Sequence, residues 1–374
     1  MHTLHPTLLV GPYDWESDQM PREEFAARIA ALWSRITDPA CTGVVVFGDS
    51  KNHAELAWLT GYVPKLRPSI AYIPRNGETV LVAPDGKGML PSTQRRTWAT
   101  VALVKDAGKS MAQWLKDNAR PGKLALVGGE YIRSVLYRPL MEAYGEAEFP
   151  FAATETAREL MRVKSGREIT MVKKAAKILK AAADGLAAGH KAGKGVTDAV
   201  NEAEHAAHRM GAQDVRTLFS TDGGMTLRPY YAPDARVADP LLAYFAVRHA
   251  NYWADGFVTL ASRPGAARAK AGGILTSLLP QIRAGATGRA LAASIHAQAQ
   301  GWRPHPMVAG SVGNAVGLTL EEEPVLRVDS DQPITEGAVL SVRIGLGDGK
   351  GDNAIVSALV QAGAAGSEVL WSSA

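Results

Sequence analysis

The chain begins its regular pattern with Phe25, Ile29, Leu32, Trp33 and Ile36, spaced so that all fall on one face of a helix. Pro21 precedes this stripe, and Glu23 and Glu24 suit a first helical turn, where carboxylates meet the positive end of the helix dipole. Short apolar runs follow at 44–47, 70–73, 79–82, 101–104 and 124–127, each bounded by Gly, Pro, Asp or Lys. Runs this short predict strands, not helices. Pro74, Arg75, Asn76 and Gly77 separate two of them and predict a hairpin-type turn. Strands alternating with helices predict an α/β domain over 1–155.

After that point the periodicity lengthens. Ser165 and Glu168 have the spacing of a capping box, in which the serine side chain accepts a free backbone N–H and the glutamate reaches back. Ile169, Val172, Ala176, Leu179 and Leu186 then form an apolar helical stripe. Further helices are predicted at 197–210, at 270–283 with a kink at Pro280, and at 287–300. Strand-like runs fall at 241–247, 257–260, 339–344 and 354–360. Long helices with antiparallel-looking strands predict an α+β domain over 156–374.

Composition removes several classes. Of 374 residues, 46% are hydrophobic and 21% charged, with 37 Gly and 21 Pro, which excludes disordered, collagen-like and coiled-coil chains. The single cysteine, Cys41, excludes an intrachain disulfide and any multi-cysteine metal site within one chain, and is expected to be a small buried residue. Lys and Arg number 41 against 37 Asp and Glu, a net charge of +4. The two signs are interspersed, so no nucleic-acid partner is expected. The start Met-His-Thr-Leu-His-Pro lacks the basic and apolar regions of a secretory signal. No stretch approaches the ~20 apolar residues of a membrane span. A cytoplasmic protein with no membrane partner is expected.

Several stretches resemble one family in order along the chain. Trp58-Leu59-Thr60-Gly61-Tyr62, closing the stretch 52–62, is similar to an "Asn…Tyr-Leu-Thr-Gly-Phe" segment. Glu159-Leu160-Met161-Arg162-Val163-Lys164-Ser165 with Glu168 resembles a "Leu-Arg-x-x-Lys-Ser-x-x-Glu" domain junction. Gly313-Asn314-Ala315-Val316-Gly317-Leu318 and Glu321-Glu322-Glu323-Pro324 resemble "Gly-His-Gly-Ile-Gly-Leu…His-Glu-x-Pro". Glu336-Gly337-Ala338-Val339-Leu340 resembles "Glu-x-Gly-Met-Val". The family is that of the pita-bread hydrolases: creatinase, aminopeptidase P, prolidase and, for the second domain, methionine aminopeptidase. The resemblance implies an α/β N-terminal domain, an α+β pita-bread C-terminal domain, and a homodimer whose partner closes the site.

Metal-dependent members hold two divalent ions with two Asp, one His and two Glu, a donor set that generates bound hydroxide. On the resemblance, these positions fall here on Tyr244, Asp255, Asn314, Arg343 and, nearest the last, Asp352. An arginine stays protonated at any working pH and repels a divalent ion. No metal and no cofactor are therefore expected. The family's auxiliary histidines fall on Tyr230 and Glu321. Tyr230, Asp255 and Glu321 become the catalytic candidates for acid/base work. Arg228, Tyr231, Tyr244, Trp253, Asn314, Arg343, Asp352 and His305 become candidates for substrate binding. Arg343 suits a bidentate grip on a carboxylate, and Asn314 suits a neutral donor to an oxyanion.

Other chemistry-bearing residues carry blander expectations. His205 and His208 stand one helical turn apart without a third ligand, so a solvated face is expected. His249 sits at a hairpin turn, and His190 suits a helix C-terminal cap. The glycine-rich stretch 345–351 lacks phosphate-loop spacing and lies between strands, so it reads as a hairpin loop. Asp222 precedes two glycines in a turn. Ser50 and Ser220 have no triad partners in view.

The expected function is a metal-independent, creatinase-like hydrolase cleaving a C–N bond of a small carboxylate-bearing metabolite. Alternatives are a non-catalytic pita-bread binding protein, or a metal-dependent Xaa-Pro-type peptidase under a shifted alignment. A lyase on the same scaffold is not separated by sequence.

Overall fold

The computed structural model describes residues 14–144, 151–222, 224–229, 233–263 and 265–374. The chain divides into two compact units between Met161 and Arg162.

The first unit carries strands β1 (Cys41–Gly48), β2 (Ser69–Pro74), β3 (Val80–Ala83), β4 (Thr100–Leu103), β5 (Lys123–Val127) and β6 (Phe151–Ala152). They form one mixed sheet in the order β4-β3-β2-β1-β5-β6. Its helices are α1 (Arg22–Arg35), α2 (Ala54–Thr60), α3 (Leu90–Gln94), α4 (Lys109–Asn118), α5 (Ser134–Tyr144) and α6 (Thr154–Arg162). β1 is apolar on both faces because the sheet is covered on both, so it reads as a continuous run without alternation. Met111, Leu115, Leu136 and Leu140 of α4 and α5 pack on Val45, Phe47, Ile70 and Val82. β2 and β3 are antiparallel neighbours across the turn read at 74–77. Cys41 is buried and free.

The second unit opens with α7 (Gly166–Lys191) and α8 (Val196–Arg209). The capping box at Ser165 forms as the spacing predicts: Ser165 Oγ accepts from Glu168 N at 3.2 Å and Glu168 Oε2 accepts from Ser165 N at 3.0 Å. α7 buries Ile169, Val172, Leu179 and Leu186 and packs over a four-stranded sheet. That sheet runs β10-β9-β7-β8, with β7 Asp214–Ser220, β8 Arg228–Pro229, β9 Leu241–His249 and β10 Tyr252–Leu260. The second sheet of this unit holds β11 (Arg303–Pro304), β12 (Ser311–Ala315), β13 (Glu322–Arg327), β14 (Val339–Gly347), β15 (Asn353–Ala362) and β16 (Ser367–Ser372). Helices α9 (Ala266–Leu278) and α10 (Gly288–Gln298) cover it. Ile274, Leu275 and Leu278 pack on Leu340, Val342, Ile344 and Val356.

Two sequence expectations change here. Pro280 ends α9 instead of kinking it: the helix stops at Leu278 and a 3-10 turn, Leu279–Gln281, carries the chain on. Proline lacks the N–H that a further helical turn needs. His190 lies inside the last turn of α7, whose C-cap is Ala192, and bonds the Ala238 carbonyl at 3.1 Å. His205 and His208 are exposed, as expected.

The two sheets of this unit meet where β10 runs beside β15. They are joined by side chains, because the two strands do not form a ladder. Ser357 Oγ accepts from Phe257 N at 2.6 Å and donates to Phe257 O at 3.2 Å. Thr259 Oγ1 donates to Ile355 O at 2.8 Å and accepts from Ile355 N at 3.0 Å. All of these groups are buried, and a buried donor left without a partner costs about 1–3 kcal/mol. Ser357→Ala is expected to lower folding stability by that amount in urea denaturation, with Ser357→Thr, which keeps the hydroxyl, falling closer to wild type.

Candidate active site

Strand register decides which side chains share a face. On β10, Trp253, Asp255 and Phe257 point the same way; opposite them on β9 stand Arg248, Ala246 and Tyr244; beyond those on β7 stand Asp214, Arg216 and Leu218. On the second sheet Asn314 of β12 pairs with Ser341 of β14, and Arg343 of β14 pairs with Ser357 of β15. The seam at Phe257 and Ser357 sets these two faces side by side.

The centre of the site is Asp255, only 1% exposed. Its Oδ2 accepts from the Tyr244 hydroxyl at 3.1 Å, and its buried Oδ1 has no hydrogen-bond partner among the described residues. Tyr244 and Asp255, eleven residues apart, are brought together by the hairpin between them. A two-residue turn at Ala250 and Asn251, both with positive φ, folds β9 back on β10. Burial pushes the Asp255 carboxyl above the usual carboxylate range, opposed by the Arg343 charge and by the Tyr244 and Ser341 hydroxyls. Burial, with the Asp255 charge adding to it, also raises the Tyr244 phenol. Tyr244 packs its ring on Phe257 at 4.9 Å between centroids.

Asn314 and Arg343 form the other wall. Arg343 Nη2 donates to Asn314 Oδ1 at 2.5 Å. Asn314 Nδ2 donates to the carbonyls of Ala315 and Leu320, each at 2.8 Å. The asparagine is thus a tether that fixes both the arginine and the loop 315–320. Its amide hydrogens serve the backbone, so it is not the oxyanion donor expected from sequence. Arg343 is half-buried, and Asn314 is its one hydrogen-bond partner among the described residues.

Other candidates lie elsewhere. Glu321 is exposed, so it does not join the buried set; the glutamate that turns inward is Glu322. Its Oε2 pairs with Lys164 Nζ at 2.6 Å, and its Oε1 accepts from Leu318 N at 2.7 Å. A side chain at Gly317 would start 2.7 Å from that carboxylate, which is why this turn needs glycine. Asp352 is also displaced from the site. Its Oδ2 accepts from Ala267 N at 2.9 Å and caps the start of α9, while the residue facing Arg343 is Ser357. Arg228 pairs with Phe219, one residue out of phase with Leu218, so it belongs to the opposite sheet face and donates to Thr221 Oγ1 at 3.0 Å. Trp253 shares the Asp255 face but is buried between the guanidinium groups of Arg216 and Arg248, at 4.6 and 4.9 Å from its ring centroid. His305 is buried beside Gly345, two residues along β14 from Arg343, and burial lowers its pKa. Tyr230 and Tyr231 fall outside the described residues.

Sequence reading missed Arg216, Ser357, Lys164 and Glu322. Ser357 left a signal: a lone hydroxyl inside the apolar run 354–360. Lys164 and Glu322 lie within the stretches that carry the family resemblance, but three consecutive glutamates give no means of choosing the inward one. Arg216 left none, because β7 lacks a clear apolar alternation. Asp222 closes its own turn, accepting from Ser220, Thr226 and Met225, and these bonds hold its carboxyl down to about 2 although burial opposes them.

Residues 170–365, just over half of the chain, match the model of metallopeptidase family M24. A search of curated proteins finds no match. Among solved structures, the X-Pro aminopeptidase of Thermotoga maritima superposes with a TM-score of 0.75 at 20% identity, covering 92% of this chain and 97% of its own. The prolidase of Pyrococcus horikoshii gives 0.73 at 16% identity, with 92% and 97% covered. The N-terminal domain of the FACT complex subunit SPT16 from chickpea gives 0.65 at 16% identity, with 94% and 97% covered. At these identities the likeness to the solved structures is one of fold. No helix among the described residues is long and apolar enough to cross a membrane.

The Asp255 environment has a consequence for stability. Its carboxyl titrates higher in the folded than in the unfolded chain, so between those two values the folded state holds a proton that the unfolded state has released. Stability falls as pH rises through that interval, by at most about 1.4 kcal/mol for each pH unit. Asp255→Asn removes the titration, so its stability relative to wild type is expected to rise across the same interval in urea denaturation at stepped pH.

Proposed function

The chain belongs to metallopeptidase family M24, and from that premise we propose that it is a metal-independent hydrolase of creatinase-like type, cleaving a C–N bond in a small carboxylate-bearing metabolite. The hydrolase fold is that of the family. The donor set is what argues for a different chemistry on it. Two divalent ions need several hard anionic donors. The cluster around Asp255 offers one carboxylate, a phenol held on it, an amide spent on backbone carbonyls, and a guanidinium. Among the described residues no group of three or more His, Cys, Asp or Glu converges. These residues do not fit a dinuclear centre.

The single observation that carries the reading is the orphaned Oδ1 of Asp255, buried beside a tyrosine hydroxyl. A buried carboxyl with a raised pKa is suited to hold a proton and deliver it. In the proposed reaction Oδ1 gives its proton to the departing nitrogen as the C–N bond breaks. Water adds its hydroxyl to the carbon, and its remaining proton returns to the carboxylate. The Tyr244 hydroxyl, donating to Oδ2, stabilises the carboxylate between those two transfers. Arg343 keeps donors beyond the one given to Asn314, and its planar fork matches a substrate carboxylate.

A second reading, binding without turnover, is favoured by one observation: Asn314 and Arg343 are bonded to each other instead of standing ready for a ligand. The two readings separate in a screen of small carboxylate-bearing amides, ureas and guanidino acids, read as released amine. Turnover that survives chelator, and falls about a hundredfold or more in Asp255→Asn, is the expected result. Ligand binding with no turnover in any compound supports the second reading. Elemental analysis after equilibration with Mn, Zn or Fe is expected to find no stoichiometric metal; two tightly held equivalents per chain would return the protein to the Xaa-Pro peptidases.

A further inference from the structure

The region beside Trp253 is cationic in a way the proposed reaction does not use. Arg216 lies on the same sheet face as Tyr244 and Asp255. Its guanidinium stacks on Trp253 at 4.6 Å from the ring centroid, which holds a flexible side chain in one orientation. One carboxylate serves two cations here: Asp214 Oδ2 lies 3.6 Å from both Arg216 and Arg248. The Arg216 side chain is 59% exposed, so its N–H groups are open to solvent. On the neighbouring sheet stands Arg343, half-buried. Both Arg216 and Arg343 lie close enough to the Tyr244 hydroxyl for their charges to favour its ionised form. Arg216 and Arg343 thus bring two positive charges to the Tyr244 hydroxyl from two different sheets.

We propose that the site takes a small dicarboxylate substrate, with one carboxylate on Arg343 and the second on Arg216. Two cations on different sheets match two separate acidic groups better than one compact anion. Each offers the planar fork that binds a carboxylate through two parallel hydrogen bonds. Trp253 supplies the rigid backing that keeps Arg216 in place. This inference rests on the reading of Arg343 as a carboxylate grip.

The test is calorimetric titration of the full chain with glutarate and with pentanoate, acids of equal length that differ by one carboxylate. Wild type is expected to bind glutarate about fivefold more tightly, the size of an exposed ion pair. Arg216→Gln is expected to bind the two acids equally, and Arg216→Lys to keep part of the preference. Arg343→Gln is expected to weaken both. Equal binding by wild type, or a glutarate preference that survives Arg216→Gln, overturns the dicarboxylate proposal while leaving the Arg343 grip standing. Loss of neither acid in Arg343→Gln, or no binding of either acid to wild type, removes the grip itself and the proposal with it.

Discussion

The seam between β10 and β15 is the constraint on which the site depends. The two sheets of the second unit each complete their own ladders, and the closest hydrogen bonds between β10 and β15 come from the Ser357 and Thr259 hydroxyls. Those bonds fix Phe257 against Ser357. Asp255 is two residues from Phe257 on the same face, and Arg343 is opposite Ser357. The meeting of a carboxylate from one sheet with a guanidinium from the other follows from that contact. Hydroxyl side chains suit the task because each can donate and accept at once, which satisfies both backbone groups of the facing residue.

The junction before α7 holds the remaining wall. Glu168 caps its own helix through one oxygen and accepts from the Tyr252 hydroxyl at 3.0 Å through the other. Lys164 and Glu322, both nearly buried, pin the turn at Leu318, and Trp253 N donates to Gly317 O at 2.7 Å. A short segment of sequence therefore positions both the start of β10 and the loop that Asn314 tethers. Its charges are paired inside the unit, where an unpaired one would carry a large desolvation cost.

The chemistry of the site follows from what shares the space around Asp255. A buried carboxylate is costly, and the surroundings compensate only in part: the Arg343 guanidinium nearby and the hydroxyls of Tyr244 and Ser341. Oδ1 has no hydrogen-bond partner among the described residues. The Arg343 guanidinium places a positive charge close enough to oppose the burial-raised Asp255 carboxyl.

The sequence by itself determined the class of each unit, the capping box at Ser165 and the long helices. Each of these is set by local periodicity or by a cap, both short-range properties. Tertiary structure decided which of three consecutive glutamates turns inward, that Asp352 caps α9 and leaves Ser357 opposite Arg343, and that Asn314 is a tether. It also decided that Arg216 reaches the site face. Those assignments depend on the register between strands far apart in the chain. A shift of one residue exchanges the two faces of a strand. Neither periodicity nor composition fixes that register, because it is chosen by packing between the sheets and by the hydrogen bonds of Ser357 and Thr259.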